Sequence, residues 1–494
     1  MARINVSLLE TLDSSIKSGH AKSVKETLRD LKAKHVPDSL LGFTVKILNR
    51  CGLPKKAIAL LDPVVYPEDT LGRSPTNIEL AEYGSALNQI GAYNDALNIF
   101  KEVSVKAAPM VELYHALTLF NRFEYAKAIP LLQSFSENPQ ISVYERFMGK
   151  VYLVEAYLAE QKYTQSFRNL NDIEAYAKKN NFKFLLGRGL ELRGQALVKQ
   201  SDFQMGAKFL ESAAILLKNA SLKNQLVVEK WLTIANMGLT GGKNSLLKLR
   251  QVKLNAVELD HWKTVRECDF YEALFTRNDE LFMKVYFGTP FDAFRTRLKA
   301  IYNDKIVLPE TYLWNPMEAK ISPKEKINAN IGLEFRSGEK LKTGHLLHRL
   351  FHTLASDFYV PFRTETLFNF LFPEEHFHPQ SSNNRVYFAL ARLSQWFNKL
   401  KIPVEVRHQP SGYRLYITKP YGIEVSLQSQ SDLSLDVVEQ LKKRLPMGEG
   451  FSAAVAAKLL DIPHRTVNRK LQRLVNEGRL ICKGAGPSTR YYFN

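Results

Sequence analysis

A loose repeat of small and aromatic residues is the feature that most limits what residues 1–302 can form. The stretch ALNQIGAYNDALNIF combines a small residue, a glycine, an aromatic residue and then an alanine three residues later. Small residues let two antiparallel helices touch, and aromatic residues fill the seam to the next pair. The spacing therefore predicts helix–turn–helix units stacked into a solenoid. A similar pattern of small and aromatic residues recurs around five positions, called anchors here, that lie 30 to 40 residues apart: Pro54, Tyr93, Phe123, Tyr163 and Phe203.

The best single unit resembles a tetratricopeptide repeat. From the domain order we expect the concave face of the solenoid to bind a peptide, a protein or the chain's own DNA-binding half. The units are degenerate and irregular in length, so an irregular helical domain is the alternative. The residues that match the repeat are Ala86, Gly91, Tyr93, Ala96 and Phe100.

A second stretch, Asn383 to Ile417, predicts an amphipathic helix, a strand, a Pro-Ser-Gly turn and a second strand. It holds six Lys or Arg residues and a single acid, Glu405. A basic helix followed by a hairpin suits DNA, because the helix fills the major groove and the hairpin reaches the adjacent backbone. A solvated basic helix is the plainer alternative. The apolar face of the helix consists of Val386, Leu390, Leu393, Phe397 and Leu400.

Residues 331–419 resemble the winged-helix effector domain of OmpR/PhoB-type response regulators. The matching pieces are the strand-like Leu333 to Phe335, RTETLFNFLF, ALARLSQWFNKL and the closing GYRLYI at Gly412 to Ile417. The resemblance implies that the helix Asn383–Lys399 enters the major groove and that Arg407 to Arg414 approach the minor groove. No receiver domain is recognisable, so the usual input of that family is missing.

The flanking segments complete the predicted domain order. Residues 303–330 contain three prolines and little periodicity, which favours a connecting segment with room for short strands. Lys419 to Asp432 is predicted as a short polar linker. Residues 433–494 then predict three helices and a hairpin, with Ser452 as an N-cap and Gly478 as a C-terminal stop, and they resemble the small winged-helix domains of bacterial regulators. The predicted fold class is mostly α, an N-terminal solenoid followed by two α+β winged-helix domains.

Candidate DNA-binding residues follow from this arrangement. Arg suits guanine, and Asn or Gln suits adenine, whereas Lys and Arg on the flanks hold phosphates. The candidates in the first module are Asn384, Arg385, Arg392, Gln395, Lys399, Lys401, Arg407 and Arg414, and those in the second are His464, Arg465, Asn468, Arg469, Arg473, Lys483 and Arg490.

Charge and cysteine content support the same class of function. The net charge is +18, which favours a polyanionic partner. Residues 331–494 carry 23 basic and 14 acidic residues, so half of the net positive charge lies in the last third of the chain. Three scattered cysteines, no apolar signal-peptide core and no membrane-length apolar run predict a cytoplasmic protein without a membrane partner.

No motif for catalysis or cofactor binding is found. There is no Walker loop, no H-E-x-x-H and no G-x-S-x-G, so neither an enzyme nor a cofactor is predicted. His345, His348 and His352 share a helix face, but Leu350 and Leu354 mark the opposite face as buried. The three histidines are therefore expected to face solvent, and no metal site is predicted.

These observations predict a DNA-binding transcriptional regulator whose solenoid senses a protein or peptide partner and whose tandem winged helices read double-stranded DNA. Assembly as a homodimer stays open. The rival interpretation is a PCI-like scaffold subunit, in which helical repeats end in a winged helix that contacts protein. The basic helix face and the GYRL run argue against that rival.

Overall fold

A computed structural model describes residues 4–17, 20–67, 73–317, 320–373, 375–379, 381–426, 437–442, 444–446, 448–460, 464–476, 478–484 and 486–494. The chain divides into two compact units. The first comprises Met1–Tyr286, Phe291–Ile306 and Phe372–Asn383, and the second comprises Phe287–Pro290, Val307–Leu371 and Asn384–Asn494. In the part of the chain described, no helix has both the length and the apolar content needed to cross a membrane.

The first unit is built from consecutive α-helices, each packed against the next over most of the chain. This confirms the predicted helical character up to Tyr302. The helices are α1 Val6–Lys17, α2 Ala21–Leu28, α3 Leu41–Arg50, α4 Pro54–Val65, α5 Asn77–Ile90, α6 Tyr93–Glu102, α7 Met110–Asn121, α8 Tyr125–Glu137, α9 Val143–Ala159, α10 Tyr163–Lys179, α11 Lys183–Lys199, α12 Phe203–Leu216, α13 Leu222–Thr240, α14 Lys243–Glu258, α15 Trp262–Thr276, α16 Asp279–Phe287 and α17 Asp292–Tyr302.

The predicted anchors mark where the second helix of each pair starts. Pro54, Tyr93, Tyr163 and Phe203 are the first residues of α4, α6, α10 and α12, and Phe123 lies two residues before α8. The turn inside each of these pairs contains a residue with positive φ, a conformation that glycine adopts without strain. Only two of the five are glycines, which explains why the repeat is hard to recognise in sequence: Gly52, Gly91, Phe123, Gln161 and Ser201.

Close contact inside a pair and between neighbouring pairs depends on small residues. A Cβ added to Gly84 of α5 would lie 2.4 Å from the Phe100 ring of α6. A Cβ added to Gly238 of α13 would lie 2.4 Å from the Phe203 ring of α12. Since real Cβ atoms do not approach carbon atoms this closely, a methyl group at either glycine would displace an aromatic ring of the seam. The pairing of small and aromatic residues that the sequence predicts is thus a packing requirement.

The segment Phe372–Asn383 belongs to the first unit although it follows that unit's other residues by about seventy positions in sequence. Phe377 is buried, and its backbone N–H donates to Asp95 Oδ2 over 3.0 Å. The ring of His376 stacks on Tyr66 with centroids 3.9 Å apart. These contacts hold the segment against α4 and α6, a placement that sequence periodicity does not predict.

The second unit begins with mixed α and β structure. Its elements are β1 Thr311–Trp314, β2 Lys326–Asn328, α18 Leu346–Leu354, α19 Thr364–Leu371, α20 Ser382–Lys399 (whose first two residues are grouped with the first unit), β3 Val404–Gln409, β4 Gly412–Ile417 and β5 Gly422–Ser426. Three strands form a sheet in the order β1-β5-β2, with β1 antiparallel and β2 parallel to β5. Strands β3 and β4 form an antiparallel hairpin that pairs Val404 with Ile417 and Gln409 with Gly412.

Two predicted connections contribute strands to that sheet. β1 and β2 lie within 303–330, which the sequence predicts as a connecting segment, and β5 lies within the predicted linker Lys419–Asp432. The strands are short and distant in sequence, so their pairing depends on non-local contacts that periodicity does not report. The rest of that linker, 427–432, lies outside the described residues. Helix α18 is also shorter than the predicted helix His345–Phe358.

The predicted apolar face of α20 is confirmed. Val386, Leu390, Leu393 and Phe397 are all buried. Phe397 meets Phe351 of α18 edge to face, with ring centroids 5.7 Å apart. This contact orients α20 so that its opposite face points to solvent.

A second group of helices and a hairpin ends the chain. Its described elements are α21 Val437–Lys442, α22 Ala453–Leu460, α23 His464–Asn476, β6 Leu480–Lys483 and β7 Arg490–Phe493. Ser452 Oγ accepts from the N–H of Val455 over 3.2 Å, as predicted for an N-cap. The predicted apolar residues Val467, Leu471 and Leu474 lie in one core with Phe451. Residues 433–436 and Pro463, both part of predicted helix starts, lie outside the described residues.

Candidate functional site

The exposed face of α20 carries most of the predicted residues of the first module. Asn384, Arg385, Arg392, Gln395 and Lys399 are all exposed. No Asp or Glu occurs between residues 382 and 404, so no acid of the helix itself offsets these charges. A helix with such a face offers hydrogen-bond donors and positive charge along a line that fits a DNA groove.

The hairpin is attached to the helices through a close backbone approach at Gly412. The backbone of Gly412 has φ +138°, and an added Cβ would lie 2.5 Å from the carbonyl oxygen of Phe362. The neighbouring Tyr413 forms a two-way backbone bridge with Phe362, with N–O distances of 2.8 Å. Only glycine fits here. The Gly of the GYRL run therefore has a structural cause: it lets β4 pair with the chain before α19.

The cations of the hairpin are less available than those of α20. Arg414 is half-buried and donates to the backbone carbonyl of Phe358. Arg407 lies 2.8 Å from Glu405 and 4.6 Å over the ring of Tyr416. The structure thus gives Arg414 a role inside the fold, whereas sequence reasoning assigns both arginines to the minor groove. Lys401, just before β3, is exposed.

Two aromatic side chains on α20 escaped the sequence prediction. Phe388 is 71% exposed and Tyr387 is 47% exposed. Both lie within two residues of the buried Val386 and Ala389, so from the sequence alone they look like core residues. The helical phase of the buried residues could have identified them as outward-facing.

The second module presents fewer described candidates. His464 and Asn468 are exposed on α23, and their side chains lie 3.3 Å apart. Lys483 is exposed on β6, with Nζ 5.2 Å from the centroid of the Tyr492 ring. Arg490 is exposed on β7. The side chains of Arg465, Arg469 and Arg473 lie outside the described residues.

The prediction that the histidines of α18 face solvent is wrong for two of the three. His348 is 1% exposed and His352 is 7% exposed. His348 Nδ1 accepts from the N–H of Gly344 over 3.1 Å, and Nε2 lies 2.9 Å from the carbonyl oxygen of Asn330. The loop before α18 therefore covers the face that Leu350 and Leu354 seemed to leave open. Burial lowers the pKa of His352 to about 4.

Two further histidines, His376 and His378, lie in the first unit. His376 and His378 are in contact through their Nε2 atoms, and His378 Nδ1 lies 3.3 Å from Asp62 Oδ2. Asp62 also accepts a hydrogen bond from the hydroxyl of Tyr83. Across the portion of the chain that is described, no group of three or more His, Cys, Asp or Glu residues is arranged to hold a metal ion.

Inside the first unit, the first helices of successive pairs contribute a cluster of opposite charges. Arg188 of α11 contacts Glu155 and Glu191. Lys230 of α13 contacts Glu267 of α15.

A further cation of this cluster comes from α17. Arg297 lies 2.8 Å from Glu160 and 5.0 Å from the centroid of the Tyr125 ring. The interior of the first unit therefore holds several cations, although the composition by itself does not show which charged residues are buried.

Lys230 contacts the carboxylate of Glu267, and two further lysines influence its charge. Burial alone would raise the pKa of Glu267, but Lys230, Lys263 and Lys199 outweigh it and lower the pKa to about 2. Burial also lowers the pKa of Lys199 to about 8, a shift that Glu267 opposes and that the neighbouring cations reinforce.

Comparisons with known proteins leave the family open. The chain is similar to the apo form of RapI, with a TM-score of 0.37 and 10% identity over 56% of this chain and 84% of that one. It is also similar to a Rap protein complexed with competence and sporulation factor, with a TM-score of 0.37 and 11% identity over 80% and 92% of the two chains. No family model and no curated protein matches. At these TM-scores the likenesses carry no argument about fold or function.

Proposed function

We propose that this protein is a non-catalytic transcriptional regulator that binds double-stranded DNA through two winged helices and receives a protein or peptide partner in its repeat unit. The observation that carries the proposal is the exposed face of α20, which presents Arg385, Arg392, Gln395 and Lys399 without an acid among them. The helix–helix–helix–hairpin order around α20 and again around α23 supports it.

Different residues have different roles in this proposal. Arg385, Arg392 and Gln395 face base edges, because their donors can pair with guanine or adenine in the major groove. Lys399 and Lys401 hold phosphates and set the register. In the second module, Asn468 contacts bases and Lys483 contacts phosphate. Arg414 contributes by holding the hairpin in place through Phe358.

A second candidate, a scaffold that contacts protein through α20, is favoured by one observation. Phe388 and Tyr387 expose aromatic surface in the middle of the helix, and exposed aromatic side chains are frequent at protein interfaces. The same rings can contact a thymine methyl group, so they do not by themselves decide between the two functions.

The test is binding of the full-length protein to a random DNA pool across a salt series, followed by sequencing of the bound fraction. The proposal expects an affinity that falls steeply with salt, with a slope of about one per phosphate contact, and an enriched sequence motif. Arg392→Ala should broaden that motif, whereas Lys208→Ala, an exposed lysine of α12, should leave it unchanged. Absence of binding at low salt would reject the proposal and favour the scaffold.

A further inference from the structure

Phe388 of α20 is an apolar side chain in a row of polar and charged ones. Residues three or four positions apart lie on one face of a helix, one above the other. The ring of Phe388 therefore lies one turn from Arg385 and one turn from Arg392. The exposed side chains of this row follow one another at intervals of three, four, three and four residues: Arg385, Phe388, Arg392, Gln395 and Lys399.

The exposure of Phe388 distinguishes it from the tyrosine beside it. Phe388 is 71% exposed, the largest fraction of any aromatic residue that the structure describes. Tyr387 has a neighbour inside the fold, because its ring centroid lies 6.4 Å from that of Tyr413 in the hairpin. Ala391, one turn after Phe388, is exposed as well. A phenylalanine ring left in water gains free energy when a partner covers it.

The charges around Phe388 determine which kind of partner fits. A protein surface that covered the ring would also remove water from Arg385 and Arg392, which is costly unless it supplies an acid for each. The major groove of DNA supplies acceptors at its base edges and an apolar methyl group at each thymine. An apolar ring between two arginines therefore fits a thymine flanked by bases that present acceptors.

We propose that Phe388 contacts the 5-methyl group of a thymine in the major groove, so that the protein prefers DNA with thymine at that position. This rests on the proposed function, in which α20 enters the major groove, and adds a residue that selects the sequence. Side chains one turn apart lie about 4.5–6 Å apart along the helix axis, whereas successive base pairs are about 3.4 Å apart. The thymine therefore lies one or two base pairs from the base that Arg392 contacts.

The experiment compares thymine with deoxyuridine, which lacks only the methyl group. The full-length protein first selects a duplex from a random pool, and each thymine of that duplex is then replaced singly by deoxyuridine. One replacement, within two base pairs of the base that Arg392 contacts, should weaken binding about fourfold, the factor expected when one methyl group is no longer buried. At the same position 5-methylcytosine should bind more tightly than cytosine by a similar factor. Fluorescence anisotropy measures these affinities.

Substitutions connect the methyl effect to Phe388. Phe388→Ala should lower affinity for the thymine duplex by about fourfold or more and should bind the thymine and deoxyuridine duplexes equally, because the contact can be lost only once. Its Tm should equal that of the wild type, since the ring is exposed. Phe388→Leu should retain part of the preference. Phe370→Ala is the matched control and should retain all of it, because Phe370 is an exposed phenylalanine of the neighbouring helix α19.

The outcomes separate this inference from the DNA-binding proposal. DNA binding that no deoxyuridine replacement weakens would overturn the inference alone. The same holds for a thymine preference that Phe388→Ala retains, for an enriched sequence without thymine within two base pairs of the Arg392 base, and for DNA binding without any enriched sequence. Absence of DNA binding at low salt would reject both proposals and would indicate that Phe388 contacts protein.

Discussion

The interior of the repeat unit and the outer face of α20 both hold clusters of lysine and arginine, yet the two clusters are built differently. In the repeat unit, Arg188, Lys230 and Arg297 are largely buried and each contacts a glutamate. On α20, Arg392 and Lys399 are exposed and no acid lies on the helix. A buried, paired cation is part of the fold, whereas an exposed, unpaired one remains available to a polyanion.

The largest expected effect tests whether the interior cations are structural. Lys230→Met leaves Glu267 without its bonded partner, so we expect the free energy of unfolding to fall by about 3 kcal/mol. Chemical denaturation of the full-length protein measures this. A loss below about 1 kcal/mol for Lys230→Met would show that Lys263 and Lys199 replace it as partners of Glu267.

The second prediction concerns acid sensitivity of the other unit. His352 has a native pKa of about 4, below its ordinary value of 6.5, so the unfolded state binds more protons between these values. Stability is therefore full above pH 6.5 and is lost as pH falls towards 4, by at most about 3 kcal/mol.

Hydrogen exchange of peptides from α18 across this pH range measures the effect. His352→Leu should flatten the pH dependence, whereas His408→Leu, at an exposed position of β3, should not. The same pH dependence of hydrogen exchange in wild type and His352→Leu would contradict the prediction.

The third prediction tests the exposed cluster. Arg392→Ala should weaken binding to the selected DNA by about 1–3 kcal/mol and relax the preference at one base position, because a bidentate contact to a base is lost. Fluorescence anisotropy with the selected site and single-base variants measures this. An equal loss of affinity for all DNA sequences would instead indicate that Arg392 contacts a phosphate.

The smallest expected effects distinguish a structural cation from a DNA-binding cation in the same module. Arg414→Ala should lower unfolding free energy by about 1–2 kcal/mol, since the guanidinium donates to the Phe358 carbonyl. Lys399→Ala should leave stability unchanged and reduce the salt slope of DNA binding by about one. The distinction between the two residues is wrong if Lys399→Ala also lowers the unfolding free energy. It is equally wrong if Arg414→Ala changes only the salt slope of DNA binding.

The sequence determined the local features of both units. Anchors such as Tyr93 and Phe203 coincide with helix starts, and the apolar face of α20 was predicted correctly except for Leu400, which lies just after the helix, because helical periodicity depends on neighbours within one or two turns. The exposure of Arg392 and Gln395 followed from the same phase. Their role in DNA binding stays a prediction.

Only the tertiary structure decided which charges and rings are covered. His348 and His352 look solvent-facing on a helical wheel, but both are buried, and a loop that includes Asn330 and Gly344 covers His348. Strand β5 pairs with segments about one hundred residues earlier, and Arg297 meets Glu160 only because the helix pairs stack. Such contacts join residues far apart in sequence, so they depend on the packing of whole elements and leave no periodic pattern in the chain.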